Sequence, residues 1–443
     1  MGIGTKIALS GFAAVLGWQV ITRSFVAYLG GYDPELALKI RPSDPQALLN
    51  LADREIDRQR TAEHQNQQSK LNGRLGAANS VSKPATPEKT ASASDVTPYS
   101  DVRLWAEAAI LQEPLSARGL RLLGQVDEVS GRTIESAKLF NAATRLSLRE
   151  WRAVLPTMLK AFEAGNFEHA VRLADAILRT RPMLFDAIAP TLAKIAENEK
   201  GIGIIEQLLA KSPTWRHQFF DGISSYITDA RTPMHLLFRL RSSAATPLVD
   251  ERAPYLRFLI EHKFYDLAYY VWLQFLPPEE LSRAGLLFNG GFEFEPSGLP
   301  FNWVISQGRS VTVELIPRSD HTGGRALSIE FGNGRVDFAR VTEMTMLAPG
   351  KYAVKGKYKG DVRGARGLVW RINCVMNQSQ PALGESPMML GSKPQWTDFQ
   401  FSFSVPVTDC RAQQLALVLD ARSPSEMLVS GSILYDDLEI VRE

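Results

Sequence analysis

The spacing of apolar residues changes near Leu281, and no other feature of this sequence constrains the fold as strongly. Before Leu281, apolar residues recur at the three- and four-residue intervals of helices that pack one face on a core. After it, alternation takes over, so that Phe399, Phe401 and Phe403 are separated by single polar residues. About eight such segments predict an antiparallel β-sandwich. The expected fold class is therefore multidomain, with an α-helical region followed by a β-sandwich.

Length and composition exclude several classes of protein. The chain has 443 residues, of which 45% are hydrophobic and 22% charged, which is typical of globular domains. The formal net charge of +2 provides no overall field that would attract nucleic acid. Two cysteines and six scattered histidines do not supply the ligand cluster of a structural zinc site. Sequence motifs of hydrolases, phosphate-binding loops and zinc peptidases are missing, so we expect no enzyme activity.

A period of 34 residues runs through the helical region. Windows that start at Ala117 and Trp151 carry small or apolar residues at equivalent positions, with a turn at Gly165 and Asn166 between two helices. This pattern resembles the tetratricopeptide repeat, although the large aromatic residue usual in its first helix is missing from both windows. The resemblance implies a solenoid whose groove holds another protein. A generic helical bundle is the alternative.

One of these repeats is split by a polar insertion. Residues 44–56 resemble a first repeat helix, and residues 105–114 resemble a second one. Between them, residues 61–98 contain no aromatic residue and few branched aliphatic ones, so they bury too little apolar area to offset the entropy of ordering. We therefore expect a disordered linker over residues 61–98, with the helical repeats over residues 32–60 and 99–282.

The N-terminal segment, residues 1–31, is apolar enough to interact with a membrane. Residues 7–21 carry no charge, and the stretch that continues past Arg23 to Leu29 reaches the length of a bilayer span. Signal-peptide cleavage is disfavoured because bulky Phe25 precedes the best small residue, Ala27, by two positions. We therefore expect an uncleaved membrane anchor, and a buried helix is the alternative. The flanking charges do not agree on its orientation.

The last region, residues 283–443, resembles a known family. It opens with LFNGGFE, continues through Pro300 and Trp303, and ends in YDDLEIV. In this order and spacing the segments resemble galactose-binding-like jelly rolls, which include carbohydrate-binding modules. The resemblance implies a noncatalytic carbohydrate-binding jelly roll. It also implies a structural calcium, whose oxygen ligands here would be Asn289, Glu293, Asp436 and Asp437, although a turn held by hydrogen bonds is the alternative.

Two predicted strands of this region expose mainly basic and polar side chains. Donors on Arg and Lys suit the carboxylates of uronic acids, so these strands are predicted to bind an acidic polysaccharide, and an ordinary solvated surface is the alternative. Trp303 and Trp396 are candidate stacking platforms for the sugar, and burial in the core is the alternative for both. The predicted binding residues are Lys355, Lys357, Lys359, Arg371, Asn373 and Trp303.

The two cysteines bear on the compartment. Cys374 lies in the inward phase of one predicted strand, and Cys410 shortly precedes another. If these strands are neighbours, the two thiols are close enough to form a disulfide, which persists only in an oxidising compartment such as the periplasm. Two independent free thiols are the alternative. With the disulfide, most of the chain is expected outside the cytoplasm.

Two functions of different classes are compatible with these features. The first is a noncatalytic, membrane-anchored scaffold for making or exporting a surface polysaccharide, which binds protein through its repeats and glycan through its jelly roll. The second is a structural interaction protein whose sandwich binds no sugar. A glycan-binding measurement separates the two.

Overall fold

The structure is a computed structural model that describes residues 3–77, 99–243, 245–318, 324–375 and 381–443. The chain divides into two compact units, one formed by Met1–Leu208 with Pro213–Trp215 and the other by Leu209–Ser212 with Arg216–Glu443. Helices come first and two antiparallel sheets follow, which confirms the predicted fold class.

Fifteen α-helices lie in the described part of the chain. They are α1 (Ile3–Tyr32), α2 (Pro34–Ile40), α3 (Pro45–Ala77), α4 (Ser100–Gln112), α5 (Ala117–Val129), α6 (Thr133–Leu146), α7 (Trp151–Glu163), α8 (Phe167–Thr180), α9 (Phe185–Ala196), α10 (Glu199–Leu209), α11 (Arg216–Gly222), α12 (Thr232–Arg241), α13 (Val249–Glu261), α14 (Tyr265–Gln274) and α15 (Pro278–Ser282).

The helices of the first unit follow the predicted period. Helices α5, α7 and α9 begin at Ala117, Trp151 and Phe185, so each starts 34 residues after the one before. Gly124 of α5 lies against Phe140 of α6, where an added Cβ would come within 2.8 Å of the ring. A small residue is therefore required where these two helices cross.

The two segments that are predicted to form one split repeat pack together. Leu49 and Ala52 of α3 share a buried cluster with Val102 and Ala106 of α4. Helix α3 extends to Ala77, which corrects the predicted linker start at residue 61. This extension is rich in Gln, Lys, Leu and Ala, which favour helices without needing a core. The remainder of the predicted linker, residues 78–98, lies outside the described residues.

The predicted anchor is helical. In α1, Val26 is buried with Ala37 of α2 and Ala47 of α3, so the end of the helix belongs to the first unit. Asn50 of α3 donates to the backbone oxygen of Gly30 at 2.7 Å. Across the described ranges, no helix combines the length and the apolar character that a membrane span requires. The predicted spanning anchor therefore finds no support here.

Within the described part of residues 304–442, ten strands form the sandwich. They are β1 (Val304–Ile305), β2 (Val311–Pro317), β3 (Arg325–Phe331), β4 (Val341–Thr345), β5 (Gly350–Gly364), β6 (Leu368–Cys374), β7 (Gly384–Glu385), β8 (Gly391–Val405), β9 (Gln413–Leu419) and β10 (Val429–Arg442). The first sheet has the order β1-β4-β9-β6-β7 and the second has the order β2-β3-β10-β5-β8. All pairs are antiparallel.

Alternation along the strands fills the space between the sheets. Phe399, Phe401 and Phe403 of β8 face the core, and Trp370 of β6 meets Tyr435 of β10 edge to face at 5.5 Å between ring centroids. In β8 each of these phenylalanines is followed by an outward polar residue, because successive residues of a strand point to opposite faces.

The last helices belong with the sandwich. Within the second unit, Trp272 of α14 lies 5.0 Å from Phe288, and Tyr269 lies 5.1 Å from Phe301, between ring centroids. The predicted boundary between residues 282 and 283 therefore differs from the observed one. The helical pattern does end near Leu281, but the apolar face of α14 is buried by the sandwich.

Candidate functional site

The predicted basic surface is divided between the two sheets. Lys355, Lys357 and Lys359 lie on β5 of the second sheet, whereas Arg371 and Asn373 lie on β6 of the first. The outer faces of a two-sheet sandwich point in opposite directions. The prediction of one continuous basic face is therefore wrong, because strands that follow each other in sequence can lie in different sheets.

Ion pairs reduce the basic character of both faces. Arg371 contacts Glu385 at 3.0 Å and Asp420 at 2.5 Å. Lys357 donates to Asp437 at 2.9 Å, and this hydrogen bond raises the pKa of Lys357. The positive charges of Arg371 and Lys357 are therefore partly neutralised by these carboxylates, which weakens their attraction for an anionic ligand.

Trp303 cannot serve as a sugar platform. Its side chain is fully buried, packed against Phe292 at 5.2 Å and Trp370 at 5.7 Å between ring centroids. The indole nitrogen donates to the backbone oxygen of Asn289 at 2.9 Å. Trp303 therefore holds the opening turn of the sandwich against its core, which corrects its predicted binding role.

Two of the predicted calcium ligands, Asn289 and Asp436, are engaged by other groups of the protein. Both ends of the Asn289 amide are engaged by the backbone of Phe294, at 2.7 and 2.9 Å. Asp436 is buried and accepts from Arg318 at 2.5 Å, so a guanidinium supplies the positive charge that the sequence assigns to calcium. Burial raises the pKa of Asp436, and the Arg318 hydrogen bond opposes this only in part. No group of three or more His, Cys, Asp or Glu among the described residues is arranged to hold a metal.

Arg318 also contacts an aromatic ring on the outer face of the second sheet. Its guanidinium carbon lies 4.6 Å from the ring centroid of Trp396, which is half-buried. The register between β5 and β8 shifts here, with Tyr358 opposite Thr397 but Gly360 opposite Lys393. This bulge carries Trp396 at the edge of the sheet.

A groove of about 740 Å³ lies on the same outer face. Asp437 belongs to its lining and lies 4.0 Å from Arg318, which places the Trp396–Arg318 pair close to the groove. The charged and amide side chains that line it are Lys355, Lys357, Asp398, Gln400, Asp437 and Glu439. We call Trp396, Arg318 and this groove the outer-face site.

The sequence indicates part of this site. Lys355 and Lys357 are predicted binding residues, Trp396 is a candidate stacking residue, and Asp437 is a predicted calcium ligand. Arg318 gives no local signal because it follows β2 at the sheet edge, far in sequence from Trp396 and Asp436. Its guanidinium meets both residues although β2 and β8 lie at opposite edges of the second sheet, so no pattern along the chain indicates this contact.

The two cysteines form a disulfide with their Cα atoms 5.1 Å apart. It links the end of β6 to the loop that precedes β9, its neighbour in the first sheet. The predicted condition, that the two strands are adjacent, is met.

No protein-family model and no curated protein matches the chain. Several solved structures resemble its C-terminal region. The match to a family 16 carbohydrate-binding module covers 36% of this chain and 100% of the module, with 14% identity and a TM-score of 0.25. The match to the xylan-binding CBM22-2 domain of Paenibacillus barcinonensis Xyn10C covers 35% of this chain and 98% of that domain, with 13% identity and a TM-score of 0.25. The match to TmCBM61, solved with β-1,4-galactotriose, covers 36% of this chain and 99% of that module, with 18% identity and a TM-score of 0.24.

Proposed function

We propose that this protein is a noncatalytic scaffold that binds a glycan through the outer-face site and another protein through its helical repeats. In this proposal it acts outside the cytoplasm in the assembly or export of a surface polysaccharide. The observation that carries the proposal is the half-buried Trp396, held by Arg318 beside a groove lined with paired charges.

The chemistry of the outer-face site suits a sugar. Aromatic rings provide a rigid apolar surface for the C–H face of a pyranose, and a few fixed polar groups orient the hydroxyls. Lys357 and Asp437 are held in a salt bridge, so both a donor and an acceptor stand at fixed positions. Charged groups form stronger hydrogen bonds than neutral ones, which favours recognition of hydroxyl groups.

The charge of the groove favours an uncharged glycan. Lys355 and Lys357 are outnumbered by the carboxylates of Asp398, Asp437 and Glu439. A polyuronate would meet more repulsion than attraction there. The acidic polysaccharide predicted from the sequence is therefore replaced in this proposal by a neutral one.

A cavity between two repeat helices supports the protein-binding part. It has a volume of about 420 Å³ and lies between α6 and α7 of the first unit. Phe140 and Pro156 provide an apolar floor, while Asn141, Lys160 and His169 provide polar groups. Such a cavity suits a side chain of a bound protein.

The disulfide supports an extracytoplasmic location. Disulfides persist in oxidising compartments and are rare in the cytosol. Cys374 and Cys410 are both buried, so once formed the bond is shielded from reductants.

Glycan binding by the full-length chain tests the proposal. We expect binding to a soluble neutral polysaccharide such as xylan or a β-glucan, and weaker binding to polygalacturonate, in affinity electrophoresis or calorimetry. Trp396→Ala should weaken binding about tenfold, since loss of an aromatic contact costs about 0.5–1.5 kcal/mol beyond its buried area. Trp18→Ala, at an exposed residue of α1, is the matched control.

The alternative is a sandwich that has a structural role alone. It predicts no binding to any polysaccharide in the panel, or binding that is the same in Trp396→Ala and in the unaltered protein. Release of reducing sugar during incubation would instead contradict the noncatalytic role.

A further inference from the structure

A carboxyl group is enclosed between α14 and the sandwich. Glu343 lies on β4 opposite Leu415 of β9, in the phase that faces inward, and is 1% exposed. Its Oε1 accepts a 2.7 Å hydrogen bond from the backbone N–H of Phe288. Its Oε2 is buried without a hydrogen-bond partner among the described residues. A buried polar atom left unpaired costs about 1–3 kcal/mol, so this oxygen calls for a physical explanation.

The surroundings of Glu343 are apolar, and no described residue provides a balancing cation there. Tyr269 and Trp272 of α14 line the enclosure together with Phe288 and Phe301. Tyr269 is the ionisable group that faces Glu343 from α14, and the segments 284–288 and 299–303 contribute no ionisable residue.

The remaining charges stand further out. Asp266 of α14 and Arg411 form a pair at 3.5 Å, and both are more than three-quarters exposed. The neighbouring strand β9 contributes the uncharged Gln413 and Gln414. Burial therefore raises the pKa of Glu343 well above its ordinary value, and the Phe288 hydrogen bond opposes this only in part.

A small cavity adjoins the carboxyl group. Its volume is about 40 Å³, whereas one water needs roughly 10–15 Å³. Buried waters bind where two or more polar groups are available, and Glu343 and Tyr269 both line this cavity. We propose that the cavity binds one water molecule, which accepts a hydrogen bond from the protonated carboxyl group of Glu343 and joins it to Tyr269 in a proton-dependent clasp between α14 and β4.

The clasp links the position of α14 to pH. While Glu343 is protonated, its carboxyl O–H donates a hydrogen bond to the water, so the buried oxygen has a partner. Ionisation places an unpaired negative charge among four aromatic rings, which is strongly unfavourable. The charge is relieved when α14 separates from the sandwich and water reaches the carboxylate.

The sign of the pH dependence follows from linkage. The folded pKa is raised, so the closed state holds more protons than the open one at any pH between the ordinary carboxyl value and the raised value. Closure of α14 is therefore most stable at the acidic end of this window and weakens as pH rises. Each pH unit within the window should increase the open fraction about tenfold.

Hydrogen exchange of the full-length protein tests the clasp. We expect protection of the α14 amides, corrected for the intrinsic rate at each pH, to fall about tenfold per pH unit within the window. In Glu343→Gln, a neutral group of the same shape, this protection should not depend on pH. In Tyr269→Phe, the dependence should persist with lower protection at every pH, because the water loses one partner.

The opposite results would overturn the inference. One is that hydrogen-exchange protection of the α14 amides does not vary with pH in the unaltered protein. This measurement requires no variant. Another is the same pH dependence in Glu343→Gln, which would assign it to a different group. The glycan-binding proposal does not depend on either outcome.

Discussion

The buried pair of Arg216 and Glu251 shows how a single side chain can control the stability of the second unit. The guanidinium contacts both carboxylate oxygens at 2.7 Å and also donates to the backbone oxygens of Leu209 and Ala245. Both side chains are less than one-tenth exposed. Removal of one partner leaves the other charge buried and unpaired, which is far more costly than the pair itself.

We therefore expect Arg216→Met to lower the free energy of unfolding by about 3–5 kcal/mol in urea titrations. Replacement of both partners by apolar residues, Arg216→Met with Glu251→Leu, should recover much of this loss because no unpaired charge remains. Arg231→Met, at an exposed Arg–Asp pair, is the matched control and should change stability little. A double variant as unstable as the single one would contradict this account.

The sequence predicts whether a strand residue points inward or outward better than it predicts which residues that side chain contacts. Alternation places Trp370 inward and Lys357 outward, and both assignments hold. The partner of Asp436 is Arg318, 118 residues away, and no pattern along the chain identifies it. The sequence leaves two roles open for Trp303, because a tryptophan beside a turn has the same sequence context whether it stacks on sugar or packs in the core, and the structure shows the second.

At the scale of elements, the disulfide links two neighbouring interior strands of the first sheet at one of their ends. It spans 36 residues between the end of β6 and the loop before β9. Closing a loop of this length in the unfolded chain removes conformational entropy worth about 3–4 kcal/mol. The double variant Cys374→Ser with Cys410→Ser should be destabilised by about this amount in chemical unfolding.

The same prediction has a second readout. Protein isolated without reductant should show no alkylation of thiols until it is denatured and reduced. Two thiols that react after denaturation alone would show that the bond is not formed. The cysteines would then no longer indicate an oxidising compartment.

The helices of the first unit are stabilised by apolar side chains buried between neighbouring helices. Leu122 of α5 is fully buried in the cluster that joins α3 and α4, whereas Leu111 of α4 is 82% exposed. Leu122→Ala should therefore cost about 2–5 kcal/mol through lost burial and a residual cavity. Leu111→Ala changes the same side chain at the surface and should cost little in thermal unfolding. Equal effects would mean that the α3–α5 cluster is not the core of this unit.

Periodicity predicts helices well when the helices that share a repeat spacing follow each other closely in sequence. The 34-residue spacing locates α5 and α7 at their observed first residues, Ala117 and Trp151. It also indicates that residues 44–56 pair with residues 105–114 across the insertion. The length of α3 was not predicted, because a helix without an apolar face has no periodic signal beyond the favourable propensity of its residues.

At the scale of the whole molecule, the unit boundary is set by packing rather than by element type. The sequence separates helices from strands near residue 282, whereas contacts group α11 to α15 with the sandwich. The cause is an aromatic contact between distant segments, in which Trp272 and Tyr269 cover Phe288 and Phe301. Local patterns classify each segment correctly but do not indicate which neighbour buries its apolar face.

This packing predicts where the chain can be divided. A fragment of residues 209–443 retains α14 and should unfold in one cooperative transition as a monomer. A fragment of residues 283–443 lacks α14, so Phe288 and Phe301, which are 3% and 1% exposed in the complete chain, become solvent-accessible. Exposed aromatic surface of this kind favours self-association and dye binding.

We therefore expect the shorter fragment to bind 1-anilinonaphthalene-8-sulfonate, to elute as oligomers in size-exclusion chromatography and to melt at a lower temperature than residues 209–443. Trp272→Ala in the full-length protein tests the same contact without truncation and should cost about 3–5 kcal/mol, as for other buried aromatic residues. Equal melting temperatures for the two fragments, together with a small effect of Trp272→Ala, would place the boundary at residue 282 after all. In that case α14 would contribute little to the stability of the sandwich, because the sandwich would tolerate exposure of Phe288 and Phe301.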